Sequence, residues 1–147
     1  MKALEIINEF LAPFGCHAKL GKAFETVLNE HLISFSIDEP DEGEKEFFKS
    51  LYELHKPKVS CDIFLWSLLH EIGHNETLGK TSSDNWESYE NLRKRIISGK
   101  VPPYAYYYHT IEWLASEWAV NYANTHFEEL TKFWNKLHLA LDKVHEV

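Results

Sequence analysis

The sequence predicts an α+β fold in which one small sheet near the N-terminus packs against a bundle of helices. Apolar and polar residues alternate in the first third of the chain, and residues 31–38 have the pattern of a half-buried strand. Later segments repeat apolar residues at spacings of three and four, which indicates amphipathic helices. A length of 147 residues fits a single domain, residues 1–147, around one hydrophobic core.

Apolar spacing and capping residues place the individual elements. Ser60 or Asp62 can cap a helix by accepting backbone N–H bonds, and Gly79 is a natural residue to end it. Two or three short strands of an antiparallel or mixed sheet are predicted over residues 16–38. Helices are predicted over residues 2–11, 44–55, 62–78, 84–98, 105–125 and 127–145.

Composition and charge narrow the class of protein. The net charge is -8, from 23 acidic and 15 basic residues, and we expect no nucleic-acid partner because such proteins carry a basic surface. No stretch approaches 18 apolar residues, so no membrane partner is expected, and the N-terminus lacks the apolar run of a signal peptide. Two cysteines, Cys16 and Cys61, are too few for a disulfide framework. We therefore expect a cytoplasmic protein.

The residues His70-Glu71-Ile72-Gly73-His74 form an HExxH motif within a predicted helix. Positions i and i+4 lie one above the other on a helix, so both imidazoles can reach one tetrahedral zinc ion. Glu71 lies beside the metal without being a ligand. A carboxylate in that position can take a proton from zinc-bound water and pass it to a leaving amine. The motif thus predicts a zinc-dependent hydrolase with Glu71 as its base.

The sequence around the motif supports this interpretation. An apolar stripe anchors the helix in the core, where two histidines and a glutamate would be costly to bury without partners such as a bound cation. Gly73 costs about 1 kcal/mol in mid-helix relative to alanine, which indicates that something approaches this face closely. The stripe consists of Leu65, Leu68, Leu69 and Ile72.

A catalytic zinc site needs a third protein ligand. Glu112 shares a helix face with small residues that would let two helices pack closely, so it could reach a metal on a neighbouring helix. Glu117 shares a side with Asn121 and Asn124, which indicates solvent. We therefore favour Glu112, with Glu117 as the alternative. The downstream acidic residues considered are Asp84, Glu87, Glu90, Glu112 and Glu117.

Two motifs together resemble a known family. The sequence Leu69-His70-Glu71-Ile72-Gly73-His74, followed by Glu112-x-x-Ala115-Ser116-x-Trp118-Ala119, resembles the ImmA/IrrE-type metallopeptidases, which pair HExxH with a downstream ExxA(N/D)x(F)A helix. This chain has Ser116 where the family usually has Asn or Asp, and Trp118 where Phe is common. The resemblance covers about residues 61–123.

This resemblance implies a zincin-like domain with His70, His74 and Glu112 as zinc ligands and Glu71 as the base. It also implies a protein or peptide substrate, with transcriptional repressors of phage or mobile-element circuits among the substrates of the family. A serine at position 116 can still hydrogen-bond a ligand.

Two further features of a peptidase have candidates in the sequence. The oxyanion that forms during amide hydrolysis needs a hydrogen-bond donor besides the metal. The strand around residues 33–37 could pair with an extended peptide. The donor candidates cluster just before Glu112 and are Tyr104, Tyr106, Tyr107, Tyr108 and His109.

The same ligands also fit a different class of protein. A catalytically silent module, stabilised by zinc and used for regulation or protein binding, would hold the metal in the same way. Glu71 favours the enzyme, because a structural site has no need of a base. A deformylase-like hydrolase is a third possibility, but the cysteine ligand expected of one is not apparent.

Overall fold

The computed structural model describes residues 2–27, 30–38, 41–77 and 83–145, and its fold is α+β with helices predominating. Helix α1 (Lys2–Leu11) buries one face, formed by Ala3, Ile6, Ile7 and Leu11. A 3₁₀ turn (Ala12–Phe14) follows and ends at Gly15, whose φ of 71° favours glycine. The chain then enters the sheet.

The sheet has three short strands in the order β1-β3-β2, namely β1 (His17–Leu20), β2 (Glu25–Val27) and β3 (Leu32–Phe35). Strands β1 and β3 are parallel, and β2 and β3 are antiparallel with Thr26 opposite Ile33. The sheet is therefore mixed, one of the two forms predicted. Because β3 is paired on both sides, the prediction that residues 33–37 receive a peptide strand is wrong. Strand β2 has a single described neighbour and forms an edge.

Two helices follow the sheet. Helix α2 (Glu42–His55) is capped by Asp41, whose carboxylate accepts a hydrogen bond of 2.7 Å from the backbone N–H of Glu44. Helix α3 (Ile63–Thr77) begins after Asp62, which accepts from the N–H of Phe64 at 2.8 Å. Residues 65–73 of α3 are all buried, so this helix runs through the core. The predicted cap at Gly79 lies outside the described residues.

The C-terminal half contains helices α4 (Ser83–Ile97), α5 (Thr110–Thr125) and α6 (Phe127–His145). The helix predicted over residues 105–125 begins later than expected, because Pro103–Tyr108 forms a 3₁₀ turn. His109 then adopts an extended backbone, and its ring accepts a hydrogen bond of 3.2 Å from the N–H of Ile111. That capping contact sets the start of α5.

The tightest helix contact joins α3 to α5. A β-carbon added to Gly73 would lie 2.3 Å from the carbonyl oxygen of Ala115, so glycine is required for this approach. The face of α5 toward α3 is the predicted small face, and Ala115, Ser116 and Ala119 on it are fully buried. Sequence spacing therefore predicted correctly which faces of these two helices meet.

Within the described ranges, no helix combines the length and the apolar character needed to cross a membrane.

Candidate metal centre

The α3–α5 contact brings together His70, His74 and Glu112. The Nε2 atoms of His70 and His74 lie 3.3 and 2.5 Å from Oε1 of Glu112. One possible ligand atom from each side chain lies within 4.8 Å of the other two. Two ligands of one tetrahedral zinc ion are about 3.4 Å apart, given bonds of about 2.1 Å. The distance from His70 to Glu112 is close to this value, whereas the 2.5 Å between His74 and Glu112 is a hydrogen-bond distance. The three side chains have the donor types of a zinc site and form a group that could hold a metal ion.

Ser116 contacts the buried His70 from the side opposite Glu112. Its Oγ lies 2.9 Å from Nδ1 of His70, and both side chains are fully buried. The roles of the two ring nitrogens depend on the tautomer of His70. When Nδ1–H donates to the Ser116 hydroxyl, the lone pair on Nε2 is free for a metal ion, and when the hydroxyl donates to Nδ1, Nε2–H donates to Glu112. Metal-ligating histidines usually have such a partner on the second ring nitrogen. Ser116 therefore provides the contact expected of a residue that supports a ligand.

The electrostatics of the site favour positive charge. Burial alone would raise the pKa of Glu112, but attraction by His74 and hydrogen bonds from both histidines outweigh it and hold this pKa well below its usual range. For His74, burial lowers the pKa, but the neighbouring Glu112 carboxylate raises it above its ordinary value overall. The Glu112 carboxylate thus favours positive charge at His74, and a divalent cation would supply the same compensation.

Glu71 lies beside this group and is held by a strand residue. Its side chain is 6% exposed. The hydroxyl of Thr26 lies 2.5 Å from Oε2 of Glu71 and 3.1 Å from its backbone carbonyl oxygen, so it can donate to either. Thr26 is in the middle of the edge strand β2. Nothing in the sequence pattern distinguishes this threonine, because the contact spans 45 residues.

An open cleft of about 340 Å³ gives access to Glu71, His74 and Glu112. Its volume is within the range of ligand-binding clefts. Phe47 and Phe48 of α2 and Trp86 and Tyr89 of α4 supply aromatic walls, and Glu25 and Glu44 add carboxylates. The site is thus built where α2, α3, α4, α5 and the edge strand meet.

Tyr89 is the tyrosine that lines this cleft, and it was not among the predicted oxyanion donors. Burial, together with the nearby negative charge of Glu112, raises its pKa far above the ordinary value, so the phenol keeps its proton. Helix α4 reads as a polar surface helix, and its sequence gives no signal that one tyrosine faces a site.

The five predicted donors lie elsewhere among the described residues. Tyr104 and Tyr108 are exposed, whereas Tyr106 packs against Tyr89 and Tyr107 against Phe47. His109 caps α5 and lies 3.1 Å from the hydroxyl of Ser88 through Nε2. None of these five lines the cleft.

The other acidic candidates are not close to the two histidines. Glu117 is exposed on α5, as its neighbours in sequence predicted. Glu87 and Glu90 are exposed on α4, and Asp84 and Glu87 line a separate cavity with Arg95. Of the two candidate glutamates on α5, the structure places Glu112, not Glu117, beside the histidines.

Comparison of the chain with family models, with curated proteins and with solved structures gives no match. The resemblance to ImmA/IrrE-type peptidases therefore stays an expectation that rests on the motif residues.

Proposed function

We propose that this chain is a zinc-dependent peptidase in which His70, His74 and Glu112 hold the metal and Glu71 is the general base. The observation that carries the proposal is a His-His-Glu group of which two members, His74 and Glu112, line the same open cleft as a further carboxylate, that of Glu71. When bound, zinc supplies a Lewis acid that polarises a peptide carbonyl and makes water a stronger acid at neutral pH. A zincin-like fold and a protein substrate are part of this proposal.

Glu71 moves the proton in this mechanism. The hydrogen bond from Thr26 engages Oε2, so we assign proton transfer to Oε1. This oxygen accepts a proton from the water that attacks the carbonyl carbon, and the resulting carboxylic acid gives the proton to the leaving amine nitrogen. The carboxylate is regenerated, and one water molecule has been added across the C–N bond.

Two other parts of the cleft complete the reaction. Tyr89, which keeps its proton, donates a hydrogen bond to the carbonyl oxygen as negative charge develops there. The outer edge of β2 can pair with an extended peptide through backbone hydrogen bonds. Thr26 then links this edge to the base, since its backbone belongs to β2 and its hydroxyl contacts Glu71.

Metal analysis is the first test. The protein, purified without chelator, is expected to contain about one zinc per chain by elemental analysis. His74→Ala should lose the metal and Glu112→Ala should weaken its binding, because both remove a ligand. Glu117→Ala is the matched control on α5, since Glu117 is exposed, and should bind zinc as the wild type does. Absence of zinc from the wild type, even after zinc is added, would overturn the proposal.

Hydrolysis is the second test. A peptide library from a digested bacterial proteome is incubated with the zinc-loaded protein, and new termini are identified by mass spectrometry. Glu71→Gln should retain zinc and lose at least about 100-fold in rate, the usual contribution of a general base. The wild-type protein could instead bind zinc and give the same cleavage products as the Glu71→Gln variant. That result would favour a zinc-stabilised binding module.

A further inference from the structure

A second cavity of about 390 Å³ adjoins the cleft. The two share the side chains of Phe24, Glu44 and Phe48. The lining of the second cavity is predominantly apolar, with Phe24 packed edge-on against Phe48 and Phe64 at ring-centroid distances of 5.8 and 5.1 Å. Leu141 of α6 lies on another wall. The cavity is therefore a mainly apolar space next to the proposed catalytic cleft.

Helix α3 fixes the distance between this cavity and the base. Ser67 lines the cavity and Glu71 lines the cleft, and the two are one helical turn apart on the same face of α3. Four residues of α-helix correspond to about 6 Å along the helix axis.

The chain that leads into strand β2 gives a similar distance. Thr26, which contacts Glu71, lies two residues after Phe24, which lines the cavity. Two residues of extended chain span about 6.6 Å. A peptide paired along β2 would therefore reach the cavity about two residues from the point nearest the base. Residues i and i+2 of such a peptide point to the same side.

We propose that this cavity receives a large apolar side chain of the peptide substrate, about two residues from the bond that is cleaved, a proposal that rests on the proposed function. The volume accommodates a phenylalanine or leucine side chain, and the aromatic walls offer edge-to-face contacts to an aromatic ring. Substrates with a small residue at that position leave this apolar surface uncovered and bind more weakly.

Pairs of hydroxamate inhibitors that differ only in one side chain measure the preference for a large apolar residue without substrate turnover. The zinc-loaded protein is titrated calorimetrically with Ac-Phe-Gly-NHOH and Ac-Ala-Gly-NHOH. A second Phe and Ala pair, built on a malonyl hydroxamate, extends in the opposite chain direction. In one of these two pairs, the Phe compound is expected to bind at least about tenfold more tightly than the Ala compound. This is a modest gain for a large apolar group in a pocket.

Variants test whether the preference comes from this cavity. Leu141→Trp should fill it and abolish the preference while affinity for the Ala compound is kept. Leu139→Trp is the matched control, because Leu139 is on the same helix, is 64% exposed and does not line the cavity. Ser36→Trp enters from the segment after β3 and replaces Leu141→Trp if that variant fails to fold.

The outcomes separate the two proposals. Equal affinities for Phe and Ala compounds in both directions, or a preference that survives in the filled variant, would overturn the substrate inference and leave the zinc peptidase intact. Failure of every hydroxamate to bind the zinc-loaded protein would overturn the proposed function and the inference with it.

Discussion

At the scale of single residues, the position of the proposed base, Glu71, depends on one hydroxyl group. Thr26 contacts both the carboxylate and the backbone carbonyl of Glu71. No bond within helix α3 holds the carboxylate in this way among the described contacts. A small displacement of a catalytic group can cost a large factor in rate, because the reacting atoms must meet in one geometry.

Thr26→Val removes this hydroxyl and keeps the shape of the side chain. We expect kcat to fall about 10- to 100-fold with KM within about twofold, since the base is displaced but the binding surfaces remain. Steady-state kinetics on the best peptide from the library provides the measurement. Thr26→Ser keeps the hydroxyl and should restore most of kcat. Equal kcat in the Val and Ser variants would show that Thr26 has only a packing role.

The sequence predicted those site residues that are close in sequence or share a helix face. His70, Glu71 and His74 form one local motif. Glu112 was favoured over Glu117 because Glu112 shares a helix face with small residues. Thr26 and Tyr89 were missed. Each lies on an element whose approach to the site is decided by tertiary packing, so no spacing in the sequence marks it.

At the scale of elements, the α3–α5 contact holds the proposed metal ligands together. His70 and His74 are on one helix and Glu112 on the other, and the closest approach is at Gly73. Any side chain at this position would push the two helices apart and so would separate the ligands. The predicted mid-helix glycine thus has a packing role next to the site.

Gly73→Ala should lower the free energy of unfolding by about 1–3 kcal/mol in urea denaturation. The added methyl would meet a backbone carbonyl, which cannot rotate away, and this clash exceeds the gain of up to about 1 kcal/mol in helix propensity. Gly43→Ala in α2 is the control, because its β-carbon would approach only the exposed Asp41 side chain, at 3.3 Å. The oxygen that it approaches also caps α2, so it must shift by a few tenths of an ångström, and the loss of stability in this variant should be smaller than in Gly73→Ala. A Gly73→Ala protein of wild-type stability would contradict the close packing.

Helix boundaries and strand order were predicted unequally well. Helices with a strong apolar stripe, such as α1 and α6, have the predicted bounds. The start of α5 was misplaced because consecutive residues before it form a 3₁₀ turn, which has nearly the same apolar spacing over so short a stretch. The parallel pairing of β1 with β3 was not predicted, since strand order depends on contacts between distant residues.

At the scale of the whole molecule, metal binding and folding should be coupled. The proposed ligands come together only when α3 and α5 are packed, so we expect zinc to bind the folded state in preference to the unfolded chain. At a free zinc concentration 100-fold above Kd, the expected stabilisation is about 2.7 kcal/mol.

Removal of zinc with a chelator should lower Tm by about 5–10 °C for a chain of this size. Differential scanning calorimetry of the chelated and zinc-loaded protein provides the measurement. Magnesium should give no comparable rise, because it prefers oxygen ligands. The His74→Ala variant should show no zinc-dependent shift, and a shift of wild-type size in that variant would locate the zinc effect elsewhere.

The separation of the ligands along the chain also sets an order of events during biosynthesis. Glu112 follows His70 by 42 residues, so a ribosome has exposed both histidines long before the carboxylate that completes the site. A metal ion can be captured firmly only after α5 has docked. By then His70 is sealed off, and His74, with 14% of its side chain exposed, faces the open cleft. Zinc would therefore enter and leave the proposed site through the cleft that binds the substrate, and a bound peptide would slow both steps.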